Sequence, residues 1–415
     1  MKDNAVLQHL LVRNLRILLR EGNITLHLPD RKTVRIGDGS GRPVTVRLTH
    51  PGIISHLVWN PELALGEGYM NGDIKIDGDD LHGLLEIAVR NFDAQASSSW
   101  IRVVRAIRML RRRFDQNNFA SVSKRNVAHH YDLSSALYDL FLDQDRQYSC
   151  AYFKHPDDSL DQAQAQKKAH IAGKLLLEPG MRVLDIGCGW GGMALGLARD
   201  YGVNVLGVTL SKEQHRIATE RAHAEGLADR VIFQLRDYRH VSGPFDRIVS
   251  VGMFEHVGLP HYGTYFETVR NLLSPDGVAL IHTIGRSAPP DATNPWISRY
   301  IFPGGYIPAM SEVLAPIENA NLWLDDVECW RQHYATTLRH WYDRFQANSK
   351  KAASIYDERF VRMWRFYLAA SEQTFRYGRQ TVFQFQLSRR QDAVPLTRDY
   401  LYPSTQPPQL AQAAE

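Results

Sequence analysis

The chain is short of cysteine: three in 415 residues, Cys150, Cys188 and Cys329, scattered without metal-ligand spacing. That argues against a disulfide framework and a zinc site, and it fits a reducing cytoplasm. The chain also lacks any apolar run near the roughly 18 residues that a membrane span needs. Its N-terminal apolar stretch, Ala5 to Leu19, is interrupted by His9, Arg13 and Arg16 and has no small-residue cleavage site, so neither export nor a spanning helix is expected. Net charge is only +4, too mild to announce a nucleic-acid binder. What the 44% hydrophobic content does allow, at this length, is a large core shared among two or three domains.

One stretch organises the rest. Val183-Leu184-Asp185-Ile186 has buried-strand character and runs straight into Gly187-Cys188-Gly189-Trp190-Gly191-Gly192, and a helical pattern follows from Met193 to Asp200. Strand, glycine turn and helix make a cofactor cradle: glycines let backbone approach a ligand closely, and the helix N-terminus offers unpaired N–H groups. The spacing is not the dinucleotide fingerprint, and no Gly-Lys-Ser/Thr follows to hold a triphosphate. It resembles the first motif of the S-adenosylmethionine (SAM)-dependent methyltransferases.

Before this turn, residues 3 to about 21 read as a helix with Leu7, Leu10, Leu11, Leu15 and Leu18 on one face and Arg13, Arg16 and Arg20 on another, packed on the next domain or facing a membrane. Short alternating runs from Gly22 to about Asp80 predict a small antiparallel sheet, and a helix is expected from about Leu81 to Asn91. With no nucleophile, base or ligand set, residues 1–95 read as a small α+β binding or docking domain. Residues 96–124 are expected to form a basic amphipathic linker helix, with Arg102, Arg105, Arg108 and Arg112 on one stripe and Arg111 beside it. Such a helix either attracts anionic headgroups, at about 1 kcal/mol per basic residue near the surface, or is a solvated charged face.

Residues 125–390 read as an α/β domain with a doubly wound parallel sheet. Its seven strand candidates are Arg182 to Ile186, Asn204 to Val208, Val231 to Leu235, Asp246 to Val251, Val278 to Ile284, Trp323 to Cys329 and Val382 to Leu387. The run Gly285 to Pro308, rich in proline, glycine and aromatics, is a lid insertion at about residues 285–310. The Pro/Gln/Ala-rich tail, 403–415, is expected to be disordered.

In open parallel sheets, ligands bind beyond the carboxyl ends of the strands, so the residues following each strand assemble a site. The earlier strands supply cofactor contacts. Thr209, followed by Leu210, stands where methyltransferases commonly hold the ribose with an acid, so its hydroxyl or Gln214 must take those hydrogen bonds. Asp237, beside Tyr238, can accept from the adenine amino group, and Asp185 orients the glycine turn or reaches the methionine end. The later strands bring Glu255, His282 and Tyr334 to one cleft beside the apolar lid, a convergence of polar groups that marks a site. Cys150 has no activating base beside it in sequence, which favours a structural or backbone role.

Taken together, these motifs closely resemble the cyclopropane fatty acid synthases and the mycolic acid cyclopropane synthases. The resemblance rests on Tyr148-Ser149-Cys150-Ala151-Tyr152, Val183 to Gly192, Gly207 to Ser211, Gln234 with Asp237-Tyr238-Arg239, Ser250 to Gly258, His282 to Gly285, Pro295-Trp296-Ile297 and Tyr300 to Pro303. It implies a seven-stranded, Rossmann-like SAM-dependent methyltransferase domain behind a small lipid-associated domain. The activity implied is methyl transfer from SAM to a cis double bond of a phospholipid acyl chain, followed by proton loss that closes a cyclopropane ring. The intervening carbocation would lie among aromatic side chains, where cation–π contact contributes roughly 2 kcal/mol or more when desolvated.

The family holds a bicarbonate ion as the base, at positions matching Cys150, Glu255, His282, Ile284 and Tyr334. Cofactor contacts are carried onto Tyr148, Ser149, Asp185, Gly187, Gly189, Gly191, Thr209, Leu210, Gln214, Asp237 and Tyr238. Lipid contacts fall on Trp296, Tyr300, Phe302 and Tyr306 and on the arginine helix. The resemblance further implies a homodimer, peripheral on the inner face of the cytoplasmic membrane. Three rivals compete: a methyltransferase forming methylene- or methyl-branched acyl chains, a non-catalytic lipid-binding protein on the same fold, and a methyltransferase for a small molecule or nucleic acid. The catalytic motifs carry no basic groove with interleaved aromatics, which disfavours nucleic acid.

Overall fold

Alternating apolar residues need one buried face, and in the N-terminal region they supply it to a four-stranded sheet. The computed structural model describes residues 2–91, 109, 116 and 135–402. Strands β1 (Asn23–His27), β2 (Thr33–Ile36), β3 (Pro43–Leu48) and β4 (Ile74–Ile76) lie in the order β2-β1-β3-β4. Ile24, Leu26, Val44, Val46 and Leu48 face a core completed by Leu11, Ile53, Ile54, Val58 and Leu84.

The sheet is not antiparallel throughout, as the sequence had implied. Ile24 pairs with Ile36 in antiparallel register, but with Val44 in parallel. The reason is local: β2 ends where β1 begins, so the link 37–42, with Gly37, Gly39 and Gly41 all at positive φ, only has to step across the end of β1. Helices Gly52–Trp59, Pro61–Asn71 and Leu81–Arg90 cover this sheet's apolar face and reach toward the rest of the chain.

The second sheet has seven strands: β5 (Arg182–Ile186), β6 (Asn204–Thr209), β7 (Val231–Leu235), β8 (Phe245–Val251), β9 (Leu273–Arg286), β10 (Trp323–Cys329) and β11 (Gln380–Ser388). Their order is β10-β11-β9-β8-β5-β6-β7. Strands β5 to β9 are parallel, and β5 is the switch point, flanked by β6 on one side and β8 on the other. A cleft therefore opens beyond the carboxyl end of β5.

The sheet is mixed rather than wholly parallel, because β11 runs antiparallel to both β9 and β10. Cys329, at the end of β10, pairs with Phe383, near the start of β11. The intervening helices, His333–Ala347, Ser349–Ile355 and Glu358–Tyr377, thus leave and re-enter at the carboxyl edge, and they roof the cleft instead of crossing back behind the sheet.

That roof also receives the N-terminal region. His82 Nε2 lies 3.1 Å from Glu372 Oε2, Arg362 Nε donates 2.6 Å to the Met70 carbonyl, and Arg359 Nε donates 2.9 Å to Asn71 Oδ1. From the lid run, the short helix Pro295–Tyr300 packs Trp296 against Gly66 so closely that a Cβ there would overlap the indole. No described helix is long and apolar enough to cross a membrane.

Candidate active site

The glycine turn forms where β5 hands over to helix Gly192–Tyr201. Gly187 and Cys188 both donate to the Val208 carbonyl, at 2.9 and 3.0 Å, which straps the turn to β6. Gly187 has φ 84°, and a Cβ on it would meet the Met253 side chain; Gly189, at φ 54°, faces open space. Gly191, also expected at the cofactor, does not line this open space. It caps the helix at φ 85° with its α-carbon turned inward, where a Cβ would strike Phe233 and Ala218.

The open space is a cavity of about 150 Å³, and all the other expected cofactor residues line it: Tyr148, Ser149, Asp185, Gly187, Gly189, Thr209, Leu210, Gln214, Asp237 and Tyr238. Asp185 is buried, its Oδ2 has no hydrogen-bond partner among the described residues, and burial pushes its carboxyl up to about 7. Thr209 donates 2.8 Å to Gln214 Oε1, so the two form one buried polar unit. Asp237 is already gripped by Arg239, through Nε at 2.9 Å and a terminal nitrogen at 2.7 Å.

Arg239, Met253 and His256, which lie within the quoted motifs, line the same space, and so do Arg146, Gln147 and Arg236, which were missed in sequence although each lies within two residues of a motif. The segment leading to Tyr148 is held from below. Asp143 accepts from the Asp145 and Gln147 amides, and Asp145 pairs with Lys168 and with Arg221, which also donates 3.0 Å to the Trp190 carbonyl.

A second cavity, about 790 Å³, adjoins the first, and Tyr148, Ser149, Gly252 and His256 belong to both walls. Cys150, Glu255, His282, Ile284 and Tyr334 line it together, brought in by the loop before the sheet, the turn after β8, strand β9 and the first roof helix. Beyond them it is lined by Trp296, Phe302 and Tyr306, and then by N-terminal residues such as Leu26, Val46, Leu48 and Leu84.

Glu255 sets the character of this meeting point. Its Oε1 accepts 2.6 Å from the Ile284 amide, and its Oε2 is buried with no hydrogen-bond partner among the described residues. Burial raises the carboxyl from the ordinary 4.5 to about 7, with the Ile284 amide opposing. The Ile284 N–H is therefore spent on Glu255 and is not open to a ligand.

His282 is buried, edge-on to Trp330, and burial with the charge of Lys167 and Lys174 holds it neutral, well below its usual range. The Gln384 side-chain amide lies 3.1 Å from its Nδ1. The Cys150 thiol is pushed well up by burial and hydrogen-bonds the Ala151 carbonyl, which removes it as a nucleophile.

The lid residues divide. Trp296 donates to Met70 Sδ at 3.1 Å, and Tyr306 donates to Glu312 at 2.7 Å, fixing both rings at the cavity wall. Phe302 stands edge-on to His256 and Tyr367. Tyr300 does not line the cavity: its hydroxyl donates 2.7 Å to Glu67, tying the lid to the N-terminal region. Arg102, Arg105, Arg108, Arg111 and Arg112, with nearly all of the expected 96–124 helix, lie outside the described residues, as does the 403–415 tail.

The site fits SAM on its own terms: a glycine cradle that a side chain would fill, an orphaned buried carboxylate oxygen at its floor, and a wall shared with an apolar chamber. Comparison with known proteins agrees. The family model for mycolic acid cyclopropane synthetase matches residues 120–385, and a domain of unknown function matches residues 16–99. Cyclopropane-fatty-acyl-phospholipid synthase of Escherichia coli (strain K12) is 40% identical over 351 residues, covering 84% of this chain and 88% of its own length. A probable fatty acid methyltransferase of Pseudomonas putida is 39% identical over 366 residues, covering 85% of this chain and 90% of its own.

Among solved structures, cyclopropane synthase MmaA2 from Mycobacterium tuberculosis superposes with a TM-score of 0.60 at 35% identity, over 64% of this chain and 97% of that one. Mycolic acid cyclopropane synthase CmaA1, solved with SAH and CTAB, gives the same values. With its cofactor cradle, its buried acid and relatives this similar along most of its length, the chain belongs to the mycolic acid cyclopropane synthetase family of SAM-dependent methyltransferases.

Proposed function

We propose that this protein converts a cis double bond in the acyl chain of a membrane phospholipid into a cyclopropane, using SAM as the one-carbon donor. The observation that carries this reading is the shared wall: the cofactor cavity and the long apolar chamber meet at Tyr148, Ser149, Gly252 and His256, beside Glu255. SAM bound in the first cavity supplies an electrophilic methyl group. The chain's own residues do the rest. Gly187 and Gly189 give close backbone approach, the Thr209–Gln214 pair replaces a ribose acid, and the apolar chamber aligns an acyl chain and excludes water from the positive charge that develops on it.

Closure of the ring needs a base, and we assign it to a bicarbonate ion held by Glu255, His282 and Tyr334 with the Cys150 backbone. The orphaned Oε2 of Glu255 suits a ligand that donates a hydrogen bond, and the neutral His282 imidazole suits a further hydrogen bond to the same ion. Ile284 contributes to this site indirectly, by fixing Glu255. Bicarbonate so held supplies a base small enough to lie between protein and lipid. A bound ion is favoured over a side-chain base because, among the described residues, the titratable groups common to both walls are Tyr148 and His256, and burial raises the Tyr148 phenol well above its usual range and lowers His256 to about 4, which leaves both as weak bases.

The same reading puts the enzyme in the cytoplasm, as a homodimer on the inner face of the membrane, with the arginine stripe of residues 102–112 toward anionic headgroups. The test is turnover on monounsaturated phospholipid vesicles in carbonate-depleted buffer, with bicarbonate added back. Product should fall on depletion and return on addition; product formation indifferent to bicarbonate contradicts the assignment of the base.

A further inference from the structure

Helix Leu160–Lys174 carries a lysine that the chemistry above does not use. Lys167 has no exposed surface, whereas lysine is almost never fully buried unless paired. Among the described residues its Nζ makes no ion pair; it donates 2.8 Å to Ser149 Oγ. Ser149 in turn stands on the wall common to both cavities. A transferable methyl must face the acyl chamber, so the cofactor's sulfur belongs at this junction, and its amino-acid end begins there. A charged lysine has donors and no acceptor, so it occupies a lone pair of the serine and leaves the hydroxyl proton for a ligand. The group that takes such a proton beside a buried cation is a carboxylate.

We propose that Lys167 is a positioning residue for the cofactor: through Ser149 it aims a hydrogen-bond donor and a buried positive charge at the carboxylate of the cofactor's methionine end. This rests on the reading of the glycine-turn cavity as the SAM site. Several charged or titratable groups bear on Lys167. They are Asp143 and Asp145 from the preceding loop, Cys150 beside Ser149, Lys168 on its own helix, Asp185 on β5 and His282 on β9. Burial draws the amine down to about 7, with Asp143 opposing. An arriving carboxylate favours the charged form, so binding above neutral pH must draw a proton from solution.

The test titrates the full chain by calorimetry with SAM and with decarboxylated SAM, at pH 8, in two buffers of different ionisation enthalpy. The unaltered protein should bind SAM about tenfold more tightly than the decarboxylated compound, in the range of one charge-assisted hydrogen bond, and take up a proton only with SAM. Lys167→Met should bind the two alike, with no proton uptake and with affinity for the decarboxylated compound unchanged. If that variant fails to fold, Ser149→Ala carries the test and should lose the same discrimination. Retained preference for the carboxylate-bearing cofactor in the folded variant overturns the proposal. Failure of the unaltered protein to bind either compound overturns the cofactor reading, and the proposal with it.

Discussion

Glu255 combines two properties that are rarely left together in a folded protein: a carboxyl raised to about 7 by burial, and a buried oxygen with no hydrogen-bond partner among the described residues. Leaving such an atom unsatisfied costs about 1–3 kcal/mol, a cost that a bound ligand removes. Glu255→Gln should therefore keep SAM affinity within about twofold, because the cofactor contacts lie on other strands, while product formation drops by about a hundredfold or more. Calorimetry and product analysis on the same preparation check both halves; undiminished turnover removes Glu255 from the site.

The raised pKa also has a stability consequence. The folded state holds this proton more tightly than the unfolded chain, so its contribution is complete below about pH 4.5 and is lost as pH rises through about 7. Melting temperature should fall more between about pH 5 and 8 in the unaltered protein than in Glu255→Gln. Parallel melting curves across that range contradict the burial of this charge.

Elements show what a sequence can and cannot carry. The inner strands β5, β6, β8 and β9 were legible because their Val/Ile/Leu runs mark strands buried on both faces, and residues after them fell into the two cavities as the topology requires. Strand direction was not legible: hydrophobic runs have no polarity, and β11 is reversed only because its preceding helices stay on the cleft side. Helix Pro61–Asn71 was hidden by Gly66 and Gly68, poor helix formers whose purpose lies in contacts outside the helix, with Trp296 for Gly66 and with Ile74 and Ile53 for Gly68. Lys167 escaped notice for a similar reason, since nothing in a polar helix sequence announces which lysine points inward.

Gly66 also gives the test of the lid's anchorage. Gly66→Ala drives a methyl into the Trp296 ring, and overpacking of this kind costs about 1–3 kcal/mol, readable in urea denaturation. An unchanged midpoint means that the lid helix yields freely and is not fixed by the N-terminal region.

At the scale of the whole molecule, the chamber is built by both regions, so the N-terminal sheet contributes residues of its own core to the chamber wall. Polar contacts that dock the two regions include the buried Glu372 with His82, Arg365 with Asp79, Arg362 with the Met70 carbonyl, Arg359 with Asn71 and Tyr300 with Glu67. Ala88→Trp, which fills the N-terminal end of the chamber, should lower turnover of long-chain phospholipid by about tenfold, the order expected for blocking productive placement, and leave SAM binding unchanged. Equal turnover means that the acyl chain does not enter that end. Removing charge at Arg108, Arg111 and Arg112 together should weaken sedimentation with anionic vesicles in a salt-sensitive way. Unchanged sedimentation assigns that stripe to solvent.

The central claim is the fate of the double bond, and one measurement reaches it directly. The purified protein is incubated with SAM and vesicles of a monounsaturated phospholipid, and the released fatty acids are examined by mass and by proton NMR. The account predicts a gain of one CH₂, upfield ring protons and loss of the alkene signals. A gain of one CH₂ with vinylic protons retained contradicts it in favour of a methylene-branched product, and absence of product despite SAM binding contradicts the phospholipid as acceptor.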